Sequence, residues 1–91
     1  MGKEVSFKNR DRIIQLGITI ATIRKIRGMS QEELAVKAGI SRTHLSKIEG
    51  KGTATGFTID AFYNIADALD VDPAELLRTS VLPDSSLNSK K

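Results

Sequence analysis

The run Ser41-Arg42-Thr43-His44-Leu45-Ser46-Lys47-Ile48-Glu49 separates cleanly into two sides when it is wound as a helix. Leu45 and Ile48 fall on one side. Arg42, Thr43, Ser46 and Lys47 fall on the other, a set of hydrogen-bond donors on a surface that packing does not need. Donors of this kind, carried on a helix that a short partner helix crosses, are what enters a DNA major groove and reaches base edges. The chemistry these residues can do is therefore recognition, and the expectation is sequence-specific binding to double-stranded DNA.

Such a helix works only if its neighbours fix its angle, and the residues before it are suited to that. Ser30 can cap a helix over residues 31–38, with Glu33 three places on reaching back to close a capping box. Leu34, Ala35 and Ala38 share one face of that helix. Gly39 stands where the chain must turn through a positive φ, and Ser41 caps the donor-bearing helix over residues 42–49. Upstream, Ile13, Leu16, Ile20 and Ile23 form one stripe of a helix from Arg10 to Arg27 that Gly28 ends. Downstream, Thr58 caps a fourth helix with Ile59, Phe62, Ile65, Ala66 and Leu69 inward. Asp72-Pro73-Ala74-Glu75 starts a fifth carrying Leu76 and Leu77. No strand pattern or internal repeat is present. The pattern predicts an all-α bundle of five helices with a helix-turn-helix made by helices 2 and 3. It divides the chain into an N-terminal arm (1–9), the helical domain (10–78) and a flexible tail (79–91).

Charge supports this assignment. Residues 1–51 hold eleven Lys and Arg against five Asp and Glu, a net +6. Residues 52–91 hold three against six, a net −3. One half suits a polyanion and the other does not. The chain has no cysteine and a single histidine, His44, with no clustered partners, so neither a thiolate metal site nor a catalytic constellation is expected. No cofactor, no metal and no enzymatic activity is expected. The loop Gly50-Lys51-Gly52-Thr53-Ala54-Thr55-Gly56 has glycines at the wrong spacing for a nucleotide loop and follows a helix rather than a strand. Without a membrane-length apolar run or a signal-peptide core, the chain is expected to be cytoplasmic.

From Leu16 to Leu77 the sequence resembles the Cro/C1 (Xre) type of helix-turn-helix domain found in phage repressors. The shared run comprises Leu16-Gly17, Ile20, Ile23-Arg24, Gly28-Met29-Ser30-Gln31-Glu32-Glu33-Leu34-Ala35, Ala38-Gly39-Ile40-Ser41, Leu45-Ser46, Ile48-Glu49, Ile65-Ala66, Ala68-Leu69 and Glu75-Leu76-Leu77. The resemblance implies that Arg42, Thr43 and Lys47 contact bases, with Ser46 a weaker candidate. It implies that Gln31 bonds a phosphate and that Arg24 pairs with Glu49 at the edge of the core, the arginine also lying near a phosphate. Ser41, His44 and Lys51 are further candidates for phosphate contact, His44 alternatively for a base, as are Thr53, Thr55, Lys25 and Arg27 for the backbone. It also implies a transcriptional regulator, a repressor by expectation. Such a protein would act as a homodimer on an inverted repeat, with the dimer contact around Leu69 to Leu77 and including Val71 and Leu76. The same fold also serves antitoxins, restriction–modification controllers and protein-interaction modules such as coactivators and anti-repressors.

Two features depart from the family pattern. The loop from Glu49 to Thr58 is about two residues longer than usual, rich in glycine and without the customary proline. The first helix also carries a second apolar stripe, Ile14, Ile18 and Ala21. Its cover is expected from Val5 and Phe7 or from Val81 and Leu82, with a partner subunit as the other option.

Overall fold

Helix starts in this chain are chemically specified, and they account for most of the architecture. In the computed structural model, which describes residues 5–50, 52 and 54–79, five helices follow one another: α1 (Arg10–Ile26), α2 (Gln31–Ala38), α3 (Arg42–Glu49), α4 (Ile59–Leu69) and α5 (Pro73–Thr79). A single 3-10 turn, Phe7–Asn9, precedes α1. Ser30 Oγ accepts from the Glu33 amide at 3.0 Å while Glu33 Oε1 accepts from the Ser30 amide at 2.8 Å, closing the capping box. Ser41 caps α3 through the His44 amide and Thr58 caps α4 through the Ala61 amide, each at 3.0 Å. Asp72 Oδ1 accepts from the Ala74 amide at the start of α5.

Helix ends are equally defined. Gly39 sits at φ 72°, and the Ile40 amide folds back to the Ala35 carbonyl at 3.0 Å, so α2 stops and the chain turns into α3 within three residues. At the end of α4 the same left-handed turn is made by Asp70, at φ 59°.

All five helices contribute to one core. Leu16 and Ile20 from α1, Leu34, Ala35 and Ala38 from α2, Leu45 and Ile48 from α3, Phe62, Ile65, Ala66 and Leu69 from α4, and Leu76 from α5 are buried together. α1 and α3 meet most closely at Gly17. A Cβ placed on that residue would come within 1.9 Å of the Ile48 carbonyl oxygen, so only hydrogen at this position lets the two backbones touch.

Several expectations need correction. Ile59 does not point inward but is 67% exposed, and Phe7 is 89% exposed and covers nothing. Leu76 is fully buried in the core of its own chain, so it is not available for a dimer contact. Ile14, Ile18 and Ala21 are each half-buried. Ile18 and Ala21 line an open surface depression together with Ser46, Glu49 and Gly50. Val81 and Leu82 lie outside the described residues. The long loop is drawn down at both ends: Arg10 Nη2 donates to the Gly52 carbonyl at 3.4 Å, and Phe57 packs against the core.

Candidate nucleic-acid interface

The surface of α3 follows from what its other side must bury. Leu45 and Ile48 are 0% and 2% exposed, and Glu49 at the helix end is buried with them. Arg42, Thr43, Ser46 and Lys47 are exposed, and His44 is half-buried between the two sides. Ser41 is exposed; its Oγ accepts the His44 amide, which leaves the hydroxyl proton available for donation. The four donors thus occupy one continuous helical face, with Ser41 at its N-terminal edge.

Behind that face lies a buried polar cluster. Arg24 Nε and Nη2 donate to the two carboxylate oxygens of Glu49 at 2.9 and 3.0 Å, a bidentate pair with side-chain exposures of 10% and 4%. Arg24 Nη1 donates to the Met29 carbonyl at 2.8 Å. Gln31, the first residue of α2, donates from Nε2 to Glu49 Oε1 at 2.9 Å. One carboxylate therefore ties the C-terminal end of α3 to the last turns of α1 and to the start of α2. The Arg24–Glu49 pair is where the family pattern implies it. The Gln31 bond to the same carboxylate had no signal in the sequence, because the partners are 18 residues apart.

Between this cluster and the solvent lies an open depression of about 430 Å³, lined by Ile18, Thr22, Lys25, Gln31, Ser46 and Gly50 among others. Lys25 is exposed at its edge. Arg27 has a different occupation. Its Nε donates to the Leu69 carbonyl at 2.8 Å and its Nη2 to the Asp70 carbonyl at 3.2 Å, capping the C-terminus of α4. Thr55 is half-buried in the loop, and Lys51 and Thr53 lie outside the described residues.

A model of the helix-turn-helix family matches residues 20–76, which span α2, the glycine turn and α3 and most of the helices around them. This chain belongs to the Cro/C1-type helix-turn-helix family. Among its Cro/C1-type relatives, the HTH-type transcriptional regulator SlrR of Bacillus subtilis is 36% identical over 61 residues, 67% of this chain and 40% of SlrR. The uncharacterized HTH-type transcriptional regulator y4dJ of Sinorhizobium fredii is 35% identical over 63 residues, 68% of this chain and 78% of y4dJ. The chain thus spans well under half of SlrR but most of y4dJ. Among solved structures, a point mutant of the restriction–modification controller protein C.Esp1396I, bound to its highest affinity operator site, superposes with a TM-score of 0.68. That match is 29% identical and covers 76% of this chain and 88% of the controller. The five-helix architecture is therefore that of the family. Among the described residues no helix is long and apolar enough to cross a membrane, and no group of three or more His, Cys, Asp or Glu side chains is placed to hold a metal ion.

Proposed function

We propose that this chain is a sequence-specific, DNA-binding transcriptional regulator, a repressor, that works as a homodimer on an inverted-repeat operator. The observation that carries the reading is the α3 face. Arg42, Thr43, Ser46 and Lys47 stand exposed on a helix whose opposite side is sealed into the core. Arg42 suits the two acceptors of guanine, Lys47 a guanine acceptor and Thr43 a thymine methyl group. Gln31, Ser41 and His44 border this face and serve the phosphates, with Lys51 from the loop. Arg24 has three donor nitrogens engaged inside the protein, and its nearness to a phosphate works through what it holds in place.

One domain of this size reads half a site, and two domains about 34 Å apart supply register and affinity together. The surface that suits a second copy is the apolar groove of about 210 Å³ bounded by α1, the start of α4 and α5. Ile59 and Leu77 line it with Ile13, Leu16, Phe57 and Phe62, and Tyr63 is exposed one turn beyond Ile59. Ile59 and Tyr63 there take the place that Leu76 cannot fill. Ile59→Asp is expected to halve the mass in sedimentation and to weaken binding to a full operator while leaving half-site binding intact. An unchanged mass would move the contact elsewhere.

The decisive experiment is selection of random duplex DNA by the purified protein at about 150 mM salt, where contacts to phosphate alone are suppressed. Recovery of an inverted repeat supports the reading. Absence of any enriched sequence would overturn it in favour of a protein-interaction module. Within the regulator class, the likeness to C.Esp1396I favours control of a restriction–modification operon as a second reading. Neighbouring endonuclease and methyltransferase genes would support it.

A further inference from the structure

The Glu49 carboxylate is almost wholly enclosed, and three donors converge on it. Oε2 accepts from Arg24 Nε at 2.9 Å, and Oε1 accepts from both Arg24 Nη2 at 3.0 Å and Gln31 Nε2 at 2.9 Å. A carboxylate can only accept. It therefore decides which end of the Gln31 amide turns inward. The NH2 group must, because the carbonyl oxygen would meet a second acceptor. One N–H of that group is then taken by Glu49. The other remains at the wall of the depression that Gln31 shares with Lys25 and Ser46. Arg24 holds both oxygens of the carboxylate and is itself anchored on the Met29 carbonyl, so Glu49 does not follow Gln31 outward.

We infer that Glu49 is a positioning residue for DNA binding: by fixing the Gln31 amide it presents an oriented N–H donor to a backbone phosphate without touching DNA itself. The inference rests on the DNA-binding reading above. Without the carboxylate, the amide is free to turn its carbonyl oxygen toward the phosphate, where two acceptors repel.

The test compares Gln31→Ala, Glu49→Gln and the double variant on one duplex at about 100 mM salt. Gln31→Ala is expected to weaken binding about ten-fold on all sequences alike, the loss of one charge-assisted hydrogen bond. Glu49→Gln should cost a similar factor, and the double variant should be no worse than the weaker single variant. Losses that multiply would overturn the inference, because Glu49 would then act by another route. A second readout needs no DNA. In the proton–nitrogen spectrum of the free protein, the Gln31 carboxamide should give two well-separated proton signals, one slow to exchange, that collapse toward solvent-like positions in Glu49→Gln. A solvent-like pair in the parent would also overturn the inference.

If Glu49→Gln does not fold, Gln31→Asn takes its place. That amide is one methylene too short to reach Glu49 and a phosphate together. It should bind as weakly as Gln31→Ala, and full affinity would overturn the inference. A parent protein that binds no duplex would overturn the DNA reading and this inference together. A parent that binds, with losses that multiply, would overturn the inference alone.

Discussion

Replacing Gly17 by alanine reverses an ordinary rule. In an exposed helix interior the change stabilises by about 1 kcal/mol, because alanine restricts the unfolded chain and suits the helix. At Gly17 the new Cβ would lie 1.9 Å from the Ile48 carbonyl oxygen and 3.0 Å from its carbonyl carbon. Real Cβ contacts stay beyond 3.0 Å, so α1 and α3 must part by about 1.1 Å. The obstacle is backbone, so no rotamer change relieves it. Withdrawal of α3 also loosens Leu45 and Ile48, which are 0% and 2% exposed. Overpacking of this kind costs about 1–3 kcal/mol, and the backbone clash places Gly17→Ala at the upper end. Subtracting the gain in helix propensity leaves a net loss of about 2 kcal/mol. For a domain of this size that corresponds to a melting temperature lower by about 8–16 °C. Thermal denaturation followed by circular dichroism reads this directly. A Gly17→Ala protein melting at or above the parent would refute the close approach of α1 and α3, and with it the reason for glycine at this place.

Other perturbations act on different parts of the same frame. Arg24→Met should destabilise by about 3–5 kcal/mol, since it strands the Glu49 carboxylate inside, whereas Arg24→Met combined with Glu49→Leu should recover much of that loss; urea denaturation of these two variants and of Glu49→Leu alone decides it, and losses that add would contradict the pairing. Asp70→Gly should stabilise by about 0.5 kcal/mol in the same assay, because Asp70 holds a left-handed conformation at φ 59° that glycine adopts more easily. Arg42→Ala should leave the melting temperature unchanged, cost about 1–3 kcal/mol in operator binding and relax preference at one base position. Undiminished affinity and selectivity would remove Arg42 from the reading face.

The parts that were legible in the sequence are those written in local chemistry. Ser30 with Glu33, Ser41, Thr58 and Asp72 each start a helix by accepting backbone amides two or three residues ahead, and Gly39 turns the chain with its own φ. None of these needs a distant partner. The split of α3 into Leu45 and Ile48 against Arg42, Thr43, Ser46 and Lys47 is also local, being a matter of helical period. The misread positions all depend on a neighbour. Periodicity placed Ile59 on the inward side of α4 but could not show that its side chain lies in a groove open to solvent, or that α5 turns Leu76 inward and Leu77 out. The bonds of Arg27 to the carbonyls of Leu69 and Asp70 span 42 and 43 residues and likewise had no local signal.

The same distinction explains why the proposed reading face is so free of internal duties. A helix of eight residues has little packing surface, and α3 buries only Leu45, Ile48 and Glu49. Two apolar side chains would leave its angle against α2 loosely set, and base contacts demand that angle. The Glu49 carboxylate supplies the missing constraint, because it bonds α1 through Arg24 and the first residue of α2 through Gln31 at once. Gly17 supplies the other, by letting α1 lie directly on the Ile48 backbone. With orientation fixed from behind by a buried ion pair and a bare backbone contact, Arg42, Thr43, Ser46 and Lys47 need hold nothing in the fold. On the proposed reading, substitutions among these four change the sequence recognised without disturbing the frame that presents them.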